Sequence, residues 1–222
     1  MNQNRLFNRV LIGLLVGVWT LGAGYGLHTL YAYSTKPGPS AEAPRQLIEA
    51  QTLGITPNAS PALLMFIHPQ CPCTRASLRE LERLQAELAT ASLDVVVVVM
   101  TGEDPRLRLD AGLGRIAQAM RAVRVIDDPN GQLASRFGIQ TSGQTLLYDA
   151  AGELRFAGGI TPSRGHEGDS RGGNMIRQIV LDDARSEDAL APVFGCAIQS
   201  ERDTAMIDGR DDTGEAALCC KQ

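Results

Sequence analysis

The hydrophobic pattern begins with a long run that carries no Asp, Glu, Lys or Arg. From Val10 to Tyr33 the sequence reads VLIGLLVGVWTLGAGYGLHTLYAY, and His28 is its one basic side chain. A helix of that length crosses a bilayer. Arg5 and Arg9 precede the run and Lys36 is the first cation after it. The positive-inside bias therefore predicts residues 1–9 in the cytoplasm, residues 10–33 in the membrane and the remainder outside. Tyr31 and Tyr33 fall where an interfacial aromatic belt would lie. The rival reading is a cleaved signal peptide, with Ala32-Tyr33-Ser34 as the cleavage site, although the run exceeds a usual h-region. Both readings export the rest of the chain to an oxidising compartment. The expected placement is a single pass through a bacterial inner membrane, with the soluble domain in the periplasm.

Beyond the run the pattern changes. Residues 34–45 are rich in Pro, Ser and Ala and read as an extended segment. The domain limits expected are a linker over 34–60, a folded domain over 61–198 and a tail over 199–222. Ala62 to Ile67 is a short apolar run that stops at His-Pro, the signature of a buried strand. Thr74 to Thr90 places Leu78, Leu81, Leu84 and Leu88 on one helical face. Leu93 to Met100 is unbroken and β-branched, as in a central strand covered on both faces.

A helix over 107–122 follows, weakened by Gly112 and Gly114. A short strand is expected at 123–126 and a short helix at 132–137, stopped by Gly138. Thr145 to Tyr148 and Leu154 to Ala157 form a hairpin about Asp149-Ala150-Ala151-Gly152. A polar, glycine-rich loop occupies 158–173. Asn174 is the expected cap of a last helix ending near Ala184. No pattern is evident after Ser186. This order predicts an α/β domain with a mixed sheet, helices on both faces and right-handed parallel crossovers at the start.

Composition narrows the function. The formal net charge of -4 gives no attraction for phosphate, so nucleic acid is not an expected partner. The five cysteines are Cys71, Cys73, Cys196, Cys219 and Cys220. They are too few and too clustered for a disulfide framework, and the odd count leaves at least one thiol over.

Cys71, Pro72 and Cys73 lie between a strand end and a helix start. Unpaired backbone N–H groups and the helix dipole favour a thiolate there. The thiolate is the attacking species in disulfide exchange and the form that binds metal. Cys71 is accordingly the expected nucleophile, with Cys73, deeper in the first helical turn, as resolving thiol. Pro72 biases Cys71 towards extended backbone, so a bridge between the two carries strain and would be readily reduced.

Two other chemistries fit the same residues. Cys71 and Thr74 make a C-x-x-T string, in which one cysteine works with a hydroxyl. Two soft sulfurs beside His68 are a candidate site for Cu(I) or zinc. A purely structural junction is the bland alternative.

In the loop, His166 is a candidate proton acceptor or ligand and Arg164 a candidate stabiliser of a thiolate. A solvated insertion is the alternative for both. Cys196, in the apolar patch Pro192 to Cys196, reads either as a small core side chain or as a third redox or metal sulfur.

The motifs resemble those of the thioredoxin-like superfamily between Ala62 and Ala184. Phe66-Ile67-His68-Pro69-Gln70-Cys71 is similar to the strand end and first catalytic cysteine of that family. Phe137-Gly138-Ile139 and Thr145-Leu146-Leu147-Tyr148 resemble its approach to the hairpin, and Gly152 and Gly159 its turn and exit. Asp128 to Ala134 resembles a segment of membrane-anchored thioredoxin-like proteins and peroxiredoxins. His68 to Thr74 is similar to the group called RedB. Two departures stand out: C-x-C replaces C-x-x-C, and Gln144 occupies the place of the family's cis-proline.

The resemblance implies a membrane-anchored thiol–disulfide oxidoreductase. Its catalytic residues would be Cys71, Cys73, Thr74 and His166, with His68, Pro72, Gln144 and Arg164 binding substrate. No cofactor or metal is expected on this reading. Its partners would be thiols or disulfides of exported proteins and an electron donor in the inner membrane. The alternative function is copper binding or delivery on the same fold, with Cys71, Cys73 and a histidine as ligands.

Overall fold

A computed structural model describes residues 3–182 and 189–198. The apolar run forms one helix, α1 (Gln3–Thr35), and Phe7–Thr35 within it is long and apolar enough to cross a membrane. Residues up to Lys36 form one unit and those from Pro37 onward a second.

Among the described residues, the second unit is built on a six-stranded sheet. Its elements are β1 (Ala62–Ile67), α2 (Thr74–Glu87), β2 (Asp94–Thr101), α3 (Gly112–Gln118), β3 (Arg124–Pro129), α4 (Gln132–Arg136), β4 (Gln144–Tyr148), β5 (Leu154–Gly158), α5 (Arg171–Asp182) and β6 (Ala189–Leu190). The strand order is β3-β2-β1-β4-β5-β6. β1, β2 and β3 are parallel neighbours, and β4 runs antiparallel to both β1 and β5.

Successive side chains of β1 alternate between two cores. Leu63, Met65 and Ile67 meet Leu78, Leu81 and Leu84 of α2 and Ile176 and Ile179 of α5. Leu64 and Phe66 meet Leu133 and Ala134 of α4, together with Phe137 and Tyr148. Burial of each such side chain stabilises the fold by about 1.5–3 kcal/mol. A strand covered on both faces must be apolar throughout, which is why β1 shows no alternation.

Several local expectations are corrected. Residues 37–60 carry no regular strand or helix, but they do not stand off as a linker. Gly38 donates to Val193, Leu47 to Gly152, and Tyr148 Oη to Pro44 O at 3.0 Å. Leu53 and Ile55 are buried in the second core. The helix expected over 107–122 is only α3, preceded by a 3-10 turn at Pro105–Leu107. Gly112 has φ +47°, and a side chain on Gly114 would collide with the carbonyl of Leu109, so a continuous helix is broken there.

The last helix starts at Arg171, ahead of the expected Asn174. Ser170 Oγ accepts from Gly173 N at 3.1 Å, so Ser170 is the capping side chain. The segment after Ser186 contributes β6, parallel to β5. The expected helix end at Ala184 and the tail with Cys219 and Cys220 lie outside the described residues.

Candidate functional site: three buried sulfurs

The chain leaves β1 at Ile67 and turns tightly before α2. Cys71 N donates to His68 O at 3.0 Å, and Thr74 N to Cys71 O at 3.2 Å. Cys73 is the N-cap of α2 and already has helical angles. It stands at the helix entrance, one step earlier than its expected place inside the first turn.

The loop before β4 closes over this turn. Ser142 Oγ accepts from His68 N at 2.8 Å and shares a hydrogen bond of 2.8 Å with Thr74 Oγ1. Gly143, with φ +90°, donates to Phe66 O, the last backbone tie between the loop and β1.

The residue missed as a defined part of the site is Cys196. Its backbone N–H donates to Cys71 Sγ at 3.3 Å, while its carbonyl accepts from Ser142 N at 2.8 Å. Gly195 makes this approach possible, because a Cβ there would lie 1.8 Å from Ser142 O. The sulfurs of Cys71, Cys73 and Cys196 all lie within 4.8 Å of one another. No disulfide joins any two of them. The residues are 0%, 9% and 5% exposed, respectively.

Hydrogen bonding holds the Cys71 thiol far below its ordinary range. The side chain of Cys196 contributes most, then that of Cys73; burial opposes them, and Thr74 and the Cys196 N–H act in the same sense. The only sequence signal for Cys196 was the apolar patch around it, in a tail otherwise polar.

The other expected site residues divide. Thr74 is buried and bonded within the site. Pro72 is exposed beside it. His68 is half-buried, and its Nδ1 accepts from Gln70 N at 3.3 Å. Gln144 is completely buried, with neither its amide nitrogen nor its oxygen hydrogen-bonded, so it offers no open surface to a substrate.

The charged loop reaches the sulfur end of the sheet and is tied there. Arg164 donates to Gly195 O, and Gly168 N to Glu80 Oε1 at 2.6 Å. Arg79–Glu167 and Arg83–Asp169 pair the loop with α2. His166 is exposed and meets the carbonyl of Arg164 at 2.7 Å. The sulfur cluster contains neither His166 nor His68.

No protein-family profile and no curated protein matches the chain. Solved structures do. A hypothetical protein of Sinorhizobium meliloti 1021 superposes with a TM-score of 0.55 at 20% identity, covering 74% of this chain and 94% of its own. An uncharacterised conserved protein of Geobacillus kaustophilus gives 0.55 at 18% identity, with 75% and 92% covered. A secreted Mycobacterium tuberculosis disulfide oxidoreductase gives 0.41 at 14%, with 65% and 95% covered.

The β-α-β-α-β crossovers, the antiparallel hairpin and the closing helix make the fold thioredoxin-like, as the sequence motifs implied. What the site defines is a buried three-thiol junction at the end of β1.

Proposed function

We propose that this chain is a thiol–disulfide oxidoreductase tethered to a membrane by α1, with its sulfur-bearing domain outside the cytoplasm. The observation that carries the reading is the convergence of hydrogen-bond donors on Cys71 Sγ at the strand–helix junction. Such donors favour the sulfur as a nucleophile. Cys71 attacks one sulfur of a substrate disulfide, and the other substrate sulfur leaves as a thiol. Cys73 then attacks Cys71 Sγ and releases the second substrate thiol. In this direction two electrons pass to the substrate and Cys71 and Cys73 become joined; in reverse, the strained and readily reduced Cys71–Cys73 bridge takes two electrons from a pair of substrate thiols and leaves them joined. An inner-membrane donor of the kind the family resemblance implies would restore the dithiol. Cys71 is wholly buried, and the segment bearing Cys196, whose N–H bonds the Cys71 sulfur, must move aside before a protein disulfide can reach it.

Capture of a model disulfide tests this. The Cys73→Ser chain should accumulate a mixed disulfide at Cys71, and Cys71→Ser should not. Capture that survives Cys71→Ser removes the assignment. Topology is tested separately by alkaline phosphatase fused after Gln222. Arg5 and Arg9 ahead of the apolar run support an active fusion, and a well-expressed but inactive one refutes the outward placement.

A further inference from the structure

We infer that Cys71, Cys73 and Cys196 form a trithiolate site for a soft d10 cation, with Cu(I) as its occupant. The expected site used two cysteines and a histidine. The chain instead brings together three sulfurs and no imidazole. Thiolates select Cu(I), zinc and iron–sulfur clusters over harder ions.

The spacing suits one ion. Three sulfurs bound at about 2.3 Å in a plane stand about 4 Å apart. The observed sulfurs lie within 4.8 Å of one another, so closure on an ion needs movement of less than about an ångström per pair. Structural zinc takes four protein ligands, and catalytic zinc adds water to three. Among the described residues the cluster supplies three ligands, and their low exposure leaves little space for water. Three-coordinate Cu(I) needs no fourth partner.

The surroundings favour retention as well. Cys196 is held by its own carbonyl on Ser142 N and by Arg164 on the preceding carbonyl, so the third ligand is fixed before metal arrives. Exposed Pro72 lies next to Cys73, the most exposed of the three at 9%, which makes that side of the cluster the shortest way in. Binding displaces the thiol protons and changes no oxidation state. It goes beyond the redox proposal and does not rest on it, since a chain that exchanges no disulfide can still hold the ion.

The test uses the full chain, reduced and kept anaerobic, loaded with Cu(I) and challenged with a chromophoric Cu(I) chelator. Trypsin cuts after Arg45, Arg75, Arg185, Arg202, Arg210 and Lys221, which places Cys71 and Cys73 in peptide 46–75, Cys196 in 186–202, and Cys219 and Cys220 in 211–221. About one Cu(I) per chain should be retained, with peptides 46–75 and 186–202 protected together from iodoacetamide. Loss of an outer-shell partner alone typically costs 10–100-fold in affinity. Cys196→Ala should therefore weaken retention by at least about tenfold and expose peptide 46–75. Circular dichroism checks that variant's fold; if the fold is lost, protection in the unaltered chain decides. Stripping of the metal by the chelator, protection of 211–221 alone, undiminished retention by a folded Cys196→Ala, or equal retention of Zn(II) would overturn the proposal.

Discussion

Cys196 and Cys71 are 125 positions apart in sequence, yet the backbone N–H of Cys196 lies 3.3 Å from the sulfur of Cys71. The link depends on a backbone contact one residue earlier. A Cβ on Gly195 would sit 1.8 Å from Ser142 O, a backbone atom that cannot swing away like a side-chain tip. Gly195→Ala should thus lift residues 195–198 from the sulfur junction. Alkylation of the native chain should rise for Cys71 and Cys196 by about tenfold or more, the effect of a 1.4 kcal/mol shift in opening. Unchanged alkylation would show that the close approach is not what holds Cys196 in place.

Arg164 and His166 share the loop but not its role. Arg164 donates to Gly195 O, whereas His166 is exposed and turns back on the carbonyl of Arg164. Hydrogen bonds to charged groups contribute about 1.5–3 kcal/mol. Arg164→Ala should accelerate amide exchange across residues 193–198, and Arg164→Lys should recover part of the protection. His166→Ala should leave that exchange unchanged. An equal effect of Arg164→Ala and His166→Ala would assign the whole loop, rather than the guanidinium, to the task.

The elements read most accurately were those set by local pattern. β1 has the limits Ala62–Ile67 that its apolar run predicts, because a strand covered on both faces must be apolar at every position. α2 and the hairpin also follow from periodicity and turn chemistry. Arg171-Gly-Gly conceals the start of α5, since two glycines argue against helix until the Ser170 cap is visible. Cys196 was harder still. Its importance comes from β6 and Gly195 bringing the segment back across the sheet end, and neither leaves a periodic signal. The same applies to residues 37–60, whose Pro and Ser suggest extension but whose Leu53 and Ile55 close the second core.

Asp128 supports the start of α4, accepting from Leu133 N at 2.7 Å and from Ala134 N at 3.0 Å. Asp128→Ala leaves two buried backbone donors unpaired and should cost about 1–3 kcal/mol in chemical denaturation. Asp110→Ala, at an exposed site, should leave the midpoint where it is. Burial raises the Asp128 pKa, against the opposing pull of the backbone N–H groups of Ala134, Leu133 and Gln132. The folded state therefore favours the protonated carboxyl. Its contribution is complete below the unfolded pKa and is lost as pH rises through the folded value. A stability profile in acid should show this component falling with rising pH, and Asp128→Ala should abolish it. A component rising with pH in that window would mean that the backbone donors outweigh burial.

Access and intrinsic reactivity point to different cysteines. Position at the strand–helix junction favours Cys71 as the attacking sulfur, and the donors around it reinforce that. Burial argues the other way: Cys71 is 0% exposed and Cys73 is 9% exposed. Iodoacetamide must touch the sulfur it modifies, so Cys71 reacts only after residues 195–198 open. An opening free energy of about 3 kcal/mol slows its reaction roughly a hundredfold. Under native conditions Cys73 should be modified first, contrary to the order that the helix terminus alone implies. In Arg164→Ala, where the covering segment is less firmly held, Cys71 should gain the most. Both cysteines fall in peptide 46–75, so fragmentation of its singly alkylated form reads the order directly. If Cys71 leads in the unaltered chain, opening of the segment is too frequent to limit access, and the nucleophile is available to substrate without any displacement of Cys196.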